Sequence, residues 1–176
     1  MRAAFPPEVL VANATARSGG AVGEFALVPA FAGRIALRGQ SILDFGAGPQ
    51  AIHAARLRAM GHQVTAHDFG ENLVPGVHDP DALSRRYDVV FASNVLNVAD
   101  TEALLQLTLS QIAGAVLPGG AAILNLPAEP RKRAWTGTRR DDDRLGTLLA
   151  SRFGSVRRLP RLWYCRAPRE AKGHSA

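Results

Sequence analysis

Ser41-Ile42-Leu43-Asp44-Phe45-Gly46-Ala47-Gly48 is a short apolar run that breaks into a glycine turn. A run of this length, bounded by glycine, predicts a buried strand feeding a tight turn. Two closely spaced glycines let the backbone bend sharply and approach a ligand with no Cβ in the way. Pro49 suits the first turn of a helix running to about Met60, with Gly61 as its C-terminal stop. Gln63-Val64-Thr65-Ala66-His67 then reads as a second strand ending at Asp68, 20 residues past Gly48. A carboxylate there can accept both hydroxyl hydrogens of a ribose.

Residues 69–86 are rich in Gly, Pro, Asn and Asp and predict a loop with at most a very short strand near Val77. Tyr87-Asp88-Val89-Val90-Phe91-Ala92 is the next strand. Asp100 is expected to cap a helix through about Leu117, with Leu105, Leu109, Ile112 and Val116 on one apolar face. Pro118-Gly119-Gly120 is expected to stop it before a strand over 121–126. Residues 142–152 read as helix and 155–166 as one or two strands; 8–17 and 24–37 read as short helices broken at Ser18-Gly19-Gly20. This alternation predicts a doubly wound, Rossmann-like α/β fold with a mostly parallel sheet. Ligands in such folds bind beyond the carboxyl ends of the strands. That rule singles out Asp44 to Gly48, Asp68, Ser93 to Asn97, and Asn125 onward.

Gly46-x-Gly48-x-x-Ala51 also fits a dinucleotide fingerprint, which keeps a nicotinamide-dependent oxidoreductase and a non-catalytic nucleotide-binding module as alternatives. Asp44 and Pro49 argue against a pyrophosphate: one places a carboxylate near it and the other removes a backbone donor. A Tyr-x-x-x-Lys pair is absent as well. Leu43-Asp44-Phe45-Gly46-Ala47-Gly48 resembles motif I of the class I S-adenosylmethionine-dependent methyltransferases. Asp68 matches the acidic ribose-binding position of that family. Tyr87-Asp88-Val89-Val90 resembles its fourth strand, and Leu117-Pro118-Gly119-Gly120 the turn before its fifth. The resemblance spans about residues 41–126. It implies S-adenosylmethionine as cofactor, with the Gly46–Gly48 turn passing the methionine moiety and Asp68 holding the ribose. The candidate cofactor-binding set is Asp44, Gly46, Ala47, Gly48, Asp68, Phe69, Ser93 and Asn94. The sequence departs from the family at Pro49-Gln50, where many members carry another glycine. Its segment after Asp68 is short, which leaves Asp79 and Asp81 as adenine-side candidates beside a plain turn reading.

Residues after the fourth strand of that family face the transferred methyl group. Asn94 and Asn97 are therefore the candidate catalytic residues, able to orient an acceptor by hydrogen bonds or simply to cap the loop. The segment Ser93-Asn94-Val95-Leu96 lacks the Asn/Asp-Pro-Pro-aromatic tetrapeptide of N6-adenine enzymes. The lone Cys165, read on a late strand, is badly placed for cytosine-C5 chemistry. Trp135 and Arg133, in the basic loop 131–140, are candidate substrate-binding residues, since a cation-flanked indole can stack on a planar acceptor. Arg17 or Ser18 can close over the cofactor or simply end a helix. The histidines have no metal-ligand spacing, and no metal is expected. His53, His62, His67 and His78 read mainly as surface or loop residues, with His53 or His67 available as a base for a hydroxyl acceptor.

At 176 residues with 47% hydrophobic content, the chain is expected to be a single domain. It divides into an N-terminal helical cap (1–40), a cofactor-binding core (41–126), a substrate-side loop with the C-terminal sheet edge (127–168) and a tail (169–176). A signal peptide, a membrane-spanning run and a cysteine pair are all missing, so a cytoplasmic location is expected. The net charge of +6 is uneven. Residues 131–176 carry 13 basic against four acidic side chains (net +9), and residues 1–130 carry 8 against 11 (net −3). Of the 21 basic residues 19 are Arg, which fits compositional bias as well as a polyanionic partner. The expected activity is methyl transfer to a small molecule or peptide, since neither a nucleobase motif nor an appended recognition domain is seen. An RNA or DNA methyltransferase recruited by the basic C-terminal quarter is the second enzymatic reading.

Overall fold

A computed structural model describes residues 6–16, 26–126 and 141–169. Two N-terminal helices, α1 (Pro7–Ala16) and α2 (Leu27–Ile35), precede β1 (Ser41–Phe45), α3 (Ile52–Ala59), β2 (Gln63–His67) and β3 (Tyr87–Ala92). There follow α4 (Glu102–Gly114), β4 (Val116–Leu124), α5 (Asp142–Ala150) and a final hairpin of β5 (Ser155–Leu159) and β6 (Leu162–Arg166). The strands form one six-stranded sheet in the order β2-β1-β3-β4-β6-β5. The first four are parallel, and the hairpin adds antiparallel through β6.

Strand alternation explains the layering. Ile42, Val64, Ala66, Val89, Phe91 and Ile123 point to one face, where Val28 and Ala32 of α2 and Ala54 and Leu57 of α3 bury against them. Leu43, Phe45, Val90, Ala122 and Leu124 point to the other, under Leu105, Leu109 and Ile112 of α4 and Leu145 and Leu149 of α5. Period-2 alternation thus puts Asp44 on the α3 face. Cys165 of β6 pairs with Ala122 and Val156, is fully buried, and its thiol is pushed by burial up to about 12.

Three boundaries differ from expectation. Pro49 lies in a turn, and α3 starts only at Ile52 because Ala51 takes a left-handed conformation (φ 44°) that cannot belong to a right-handed helix. Thr101, not Asp100, caps α4: its backbone is extended and its Oγ1 accepts the Leu104 N–H at 3.2 Å. That helix ends at Gly114, and Val116 is a strand residue paired with Tyr87. Pro118-Gly119-Gly120 therefore stops no helix. It bulges within β4, since the partner register jumps from Tyr87↔Val116 to Val89↔Ala121 and Gly119 adopts φ +74°.

Between β2 and β3 the chain forms no strand beyond a single bridge of Pro75 with His78. It makes 3₁₀ turns at Gly70–Asn72 and Ala82–Ser84 instead. This segment covers the outer edge of β2, where the Asp79 N–H donates to the Ala66 carbonyl at 2.9 Å.

Candidate functional site

The carboxyl ends of β1 and β2 meet at the glycine turn. The Gly46 and Ala47 N–H groups both donate to the His67 carbonyl, at 2.9 and 3.0 Å. Gly46 (φ +72°) lies against the first segment after β3: a Cβ on it would come within 2.6 Å of Val95 Cγ2. Among the described residues nothing lies within 4 Å of where a Cβ on Gly48 (φ +71°) would be. The turn is therefore packed on one side and bare on the other.

Two carboxylates flank it. Asp68 is buried, accepting the Gly48 N–H at 2.6 Å on Oδ2 and the Phe69 N–H at 2.7 Å on Oδ1. Asn72 Nδ2 lies 3.4 Å from the same Oδ1. Asp44 is only 1% exposed. Its carboxyl faces the Ala54 N–H in the first turn of α3, and among the described residues its Oδ2 has no hydrogen-bond partner. Burial, reinforced by the charge of Asp68, pushes the Asp44 carboxyl up to about 8. An unsatisfied buried carboxyl is costly on its own and favours a cationic or hydrogen-donating partner.

The ends of β3 and β4 supply amides. Asn94 adopts φ +59°, a conformation asparagine tolerates, and its backbone N–H donates to Asn125 Oδ1 at 2.7 Å. Asn125 Nδ2 returns the bond to Asn94 Oδ1 at 2.8 Å. This reciprocal pair ties the segment after β3 to the end of β4. Ser93 is buried with its Oγ lacking a partner, and Asn97 sits half-buried in the turn Leu96–Val98.

The structure thus gathers Asp44, Gly46, Ala47, Gly48 and Asp68 on adjoining strand ends. Ser93 and Asn94 lie on the next strand end, whose Val95 touches the glycine turn. Phe69 contributes its N–H to Asp68, while its ring packs edge-on against Phe45 and His67. Asp79 is committed to an ion pair with Arg85 and to the Asp81 N–H, the plain turn reading. Trp135, Arg133, Arg17 and Ser18 lie outside the described residues.

The surface reading of the histidines needs correcting. His53, His67 and His78 are all buried. Burial lowers His53 and His67 below the ordinary imidazole range. His67 Nδ1 bonds the Asp79 carbonyl at 3.0 Å and its ring stacks edge-on with Phe69 at 4.8 Å, a packing role. His78 bonds the glycine turn itself, a contact across 30 residues that no periodicity announces. Among the described residues no group of three His, Cys, Asp or Glu side chains could hold a metal ion.

No protein-family model matches the sequence, and a search of curated proteins finds no relative. Comparison with solved structures does find matches. Magnesium protoporphyrin IX methyltransferase from Synechocystis, solved with S-adenosylhomocysteine, superposes with a TM-score of 0.59 at 14% identity, over 91% of this chain and 85% of that one. Human N-acetylserotonin methyltransferase, solved with S-adenosylmethionine, gives 0.59 at 15% identity, over 92% and 56%. An O-methyltransferase family protein from Burkholderia thailandensis gives 0.54 at 15%, over 93% and 58%. The chain has the class I methyltransferase fold. It spans little more than half the length of the human and Burkholderia proteins. No strand intervenes between β2 and β3, so the strand whose sequence resembles the family's fourth is the third in this chain. No helix among the described residues is long and apolar enough to cross a membrane.

Proposed function

We propose that the chain binds S-adenosylmethionine at the glycine turn and transfers its methyl group to a small-molecule or peptide acceptor. The observation that carries this reading is the bare face of Gly48 set between Asp68 and the unsatisfied, buried Asp44. Asp68 keeps lone pairs beyond its bonds to Gly48 and Phe69, enough to accept ribose hydroxyls. Asp44 offers an acceptor to the α-ammonium. Gly46 and Gly48 let the methionine portion pass close to the backbone. When bound, the cofactor supplies a methyl group already activated by a sulfonium centre, so positioning and exclusion of water do most of the work. Asn94 and Asn125, locked to each other, retain amide N–H groups that can orient an acceptor oxygen or nitrogen.

The same residues disfavour a pyrophosphate cofactor. Helix α3 starts three residues beyond Pro49, and its Ala54 N–H already faces the Asp44 carboxyl. The donors and positive dipole a phosphate would use are thus met by a carboxyl group. Similarity to enzymes named for magnesium protoporphyrin IX and N-acetylserotonin supports a small acceptor. A nucleic-acid acceptor keeps an electrostatic motive in exposed Arg157, Arg161, Arg166 and Arg169.

Calorimetric titration with S-adenosylhomocysteine and, separately, NAD tests the reading. Binding of S-adenosylhomocysteine that Asp68→Ala weakens at least roughly tenfold is expected, as loss of charge-assisted hydrogen bonds implies. NAD binding without S-adenosylhomocysteine binding would overturn it. Transfer of labelled methyl from the cofactor to small molecules, peptides or RNA then separates the acceptor classes.

A further inference from the structure

Gly48 is held by both of its polar backbone groups. Its N–H is taken by Asp68 at 2.6 Å, and its carbonyl lies 2.9 Å from His78 Nε2. The tautomer of that imidazole follows from its other contact. The Val74 N–H donates to His78 Nδ1 at 3.0 Å, so Nδ1 carries the lone pair and Nε2 carries the proton that it donates to Gly48. The ring is therefore neutral and both of its nitrogens are used. His78 rides on a tight turn in which its own N–H and that of Val77 return to the Val74 carbonyl, at 3.0 and 3.1 Å. The next residue, Asp79, hangs that turn on the edge of β2.

We propose that His78 is a positioning residue for the adenosine-binding geometry: by holding the Gly48 carbonyl while Asp68 holds the N–H, it fixes the backbone torsions of Gly48 so that its bare face points to the ligand. This rests on the cofactor reading above. With the carbonyl released, rotation about the φ and ψ bonds of Gly48 would turn the two flanking peptides relative to each other, swinging the carbonyl away and loosening the N–H on the carboxylate assigned to the ribose. Glycine resists such rotation less than any other residue. In this chain the turn that covers the edge of β2 supplies the restraint.

The test is calorimetric titration of S-adenosylhomocysteine into wild type, His78→Phe and His78→Gln, with thermal unfolding of each. The side-chain ¹⁵N spectrum of His78 in the wild type completes it. His78→Phe is expected to weaken binding about three- to tenfold, the range commanded by one neutral hydrogen bond. His78→Gln places an amide donor the same number of bonds from Cβ and is expected to hold affinity within about twofold of wild type. The spectrum is expected to show a protonated Nε2 and a bare Nδ1. Unchanged affinity in His78→Phe overturns the proposal. So does an equal loss in both variants that tracks their melting temperatures, or a proton found on Nδ1. A wild type that binds no S-adenosylhomocysteine would remove the cofactor reading, while the tautomer would still decide whether His78 clamps the turn.

Discussion

Gly46 and Gly48 share nearly the same positive φ yet differ in their surroundings, and alanine separates them. At Gly46 the added methyl must displace Val95 as well as sit at positive φ. Gly46→Ala is expected to lower stability by roughly 2–4 kcal/mol, as overpacking and left-handed strain combine. At Gly48 only the strain applies, about 1 kcal/mol, but the methyl enters the space left for a ligand. Gly48→Ala should therefore fold and fail to bind S-adenosylhomocysteine. Urea titrations beside calorimetry check both, and comparable stability losses would refute the distinction. Asp44 makes a prediction in pH. Its folded carboxyl stays protonated up to about 8, whereas the unfolded one releases its proton near 3.8. The folded state thus binds the extra proton between those values, and stability falls as pH rises through them. One proton gives at most about 1.4 kcal/mol per pH unit. Urea unfolding from pH 5 to 8 should show a shallower decline in Asp44→Asn than in wild type; parallel slopes would show that Asp44 is ionised in the unliganded fold.

At the scale of elements, the β5–β6 turn carries a correctable defect. Arg161 stands at φ +69° in the two-residue connection Pro160-Arg161, where a turn of this type favours glycine. Arg161→Gly is expected to raise stability by on the order of 0.5–1 kcal/mol, strain relief exceeding the added freedom of the unfolded chain. A melting temperature that falls would contradict the turn assignment. The strands are readable in the sequence because β1 and β3 are mainly apolar and β2 alternates polar and apolar residues, each closed by a turn or polar residue at Gly46, Asp68 or Ser93. Asp44, Asp68 and the glycines were readable because their spacing is local to the β1–α3–β2 unit. What escaped depends on backbone states or distant partners. Nothing in the composition marks Ala51 as left-handed, and the 117–120 bulge exists only through its register with β3. Helix α4 was placed one turn too long for that reason. His78 carries no periodic signal, since its contact with Gly48 depends on how an irregular segment folds back. Asn125 could be flagged as a strand-end residue, but its pairing with Asn94 arises only once β3 and β4 lie side by side.

For the molecule as a whole, the parallel strands and their helices form one part, and the antiparallel hairpin completes the sheet beside β4. Cys165 sits at that junction, paired on one side with Ala122 and on the other with Val156, with its thiolate form strongly disfavoured. It is the single cysteine of the chain. Its side chain lies in the cluster closed by α4 and α5, so a thiol reagent can reach it only after that layer or the hairpin has opened, which turns this side chain into a clock for opening of the C-terminal part. Modification by a thiol reagent in buffer is expected to be slower than in urea by orders of magnitude, in proportion to the rarity of the opened form. A rapid reaction under native conditions would mean that the hairpin or the helix over it opens while the parallel strands stay assembled. Read as a function of urea, the same rate would report whether the chain opens in one cooperative step or sheds its C-terminal third ahead of the rest.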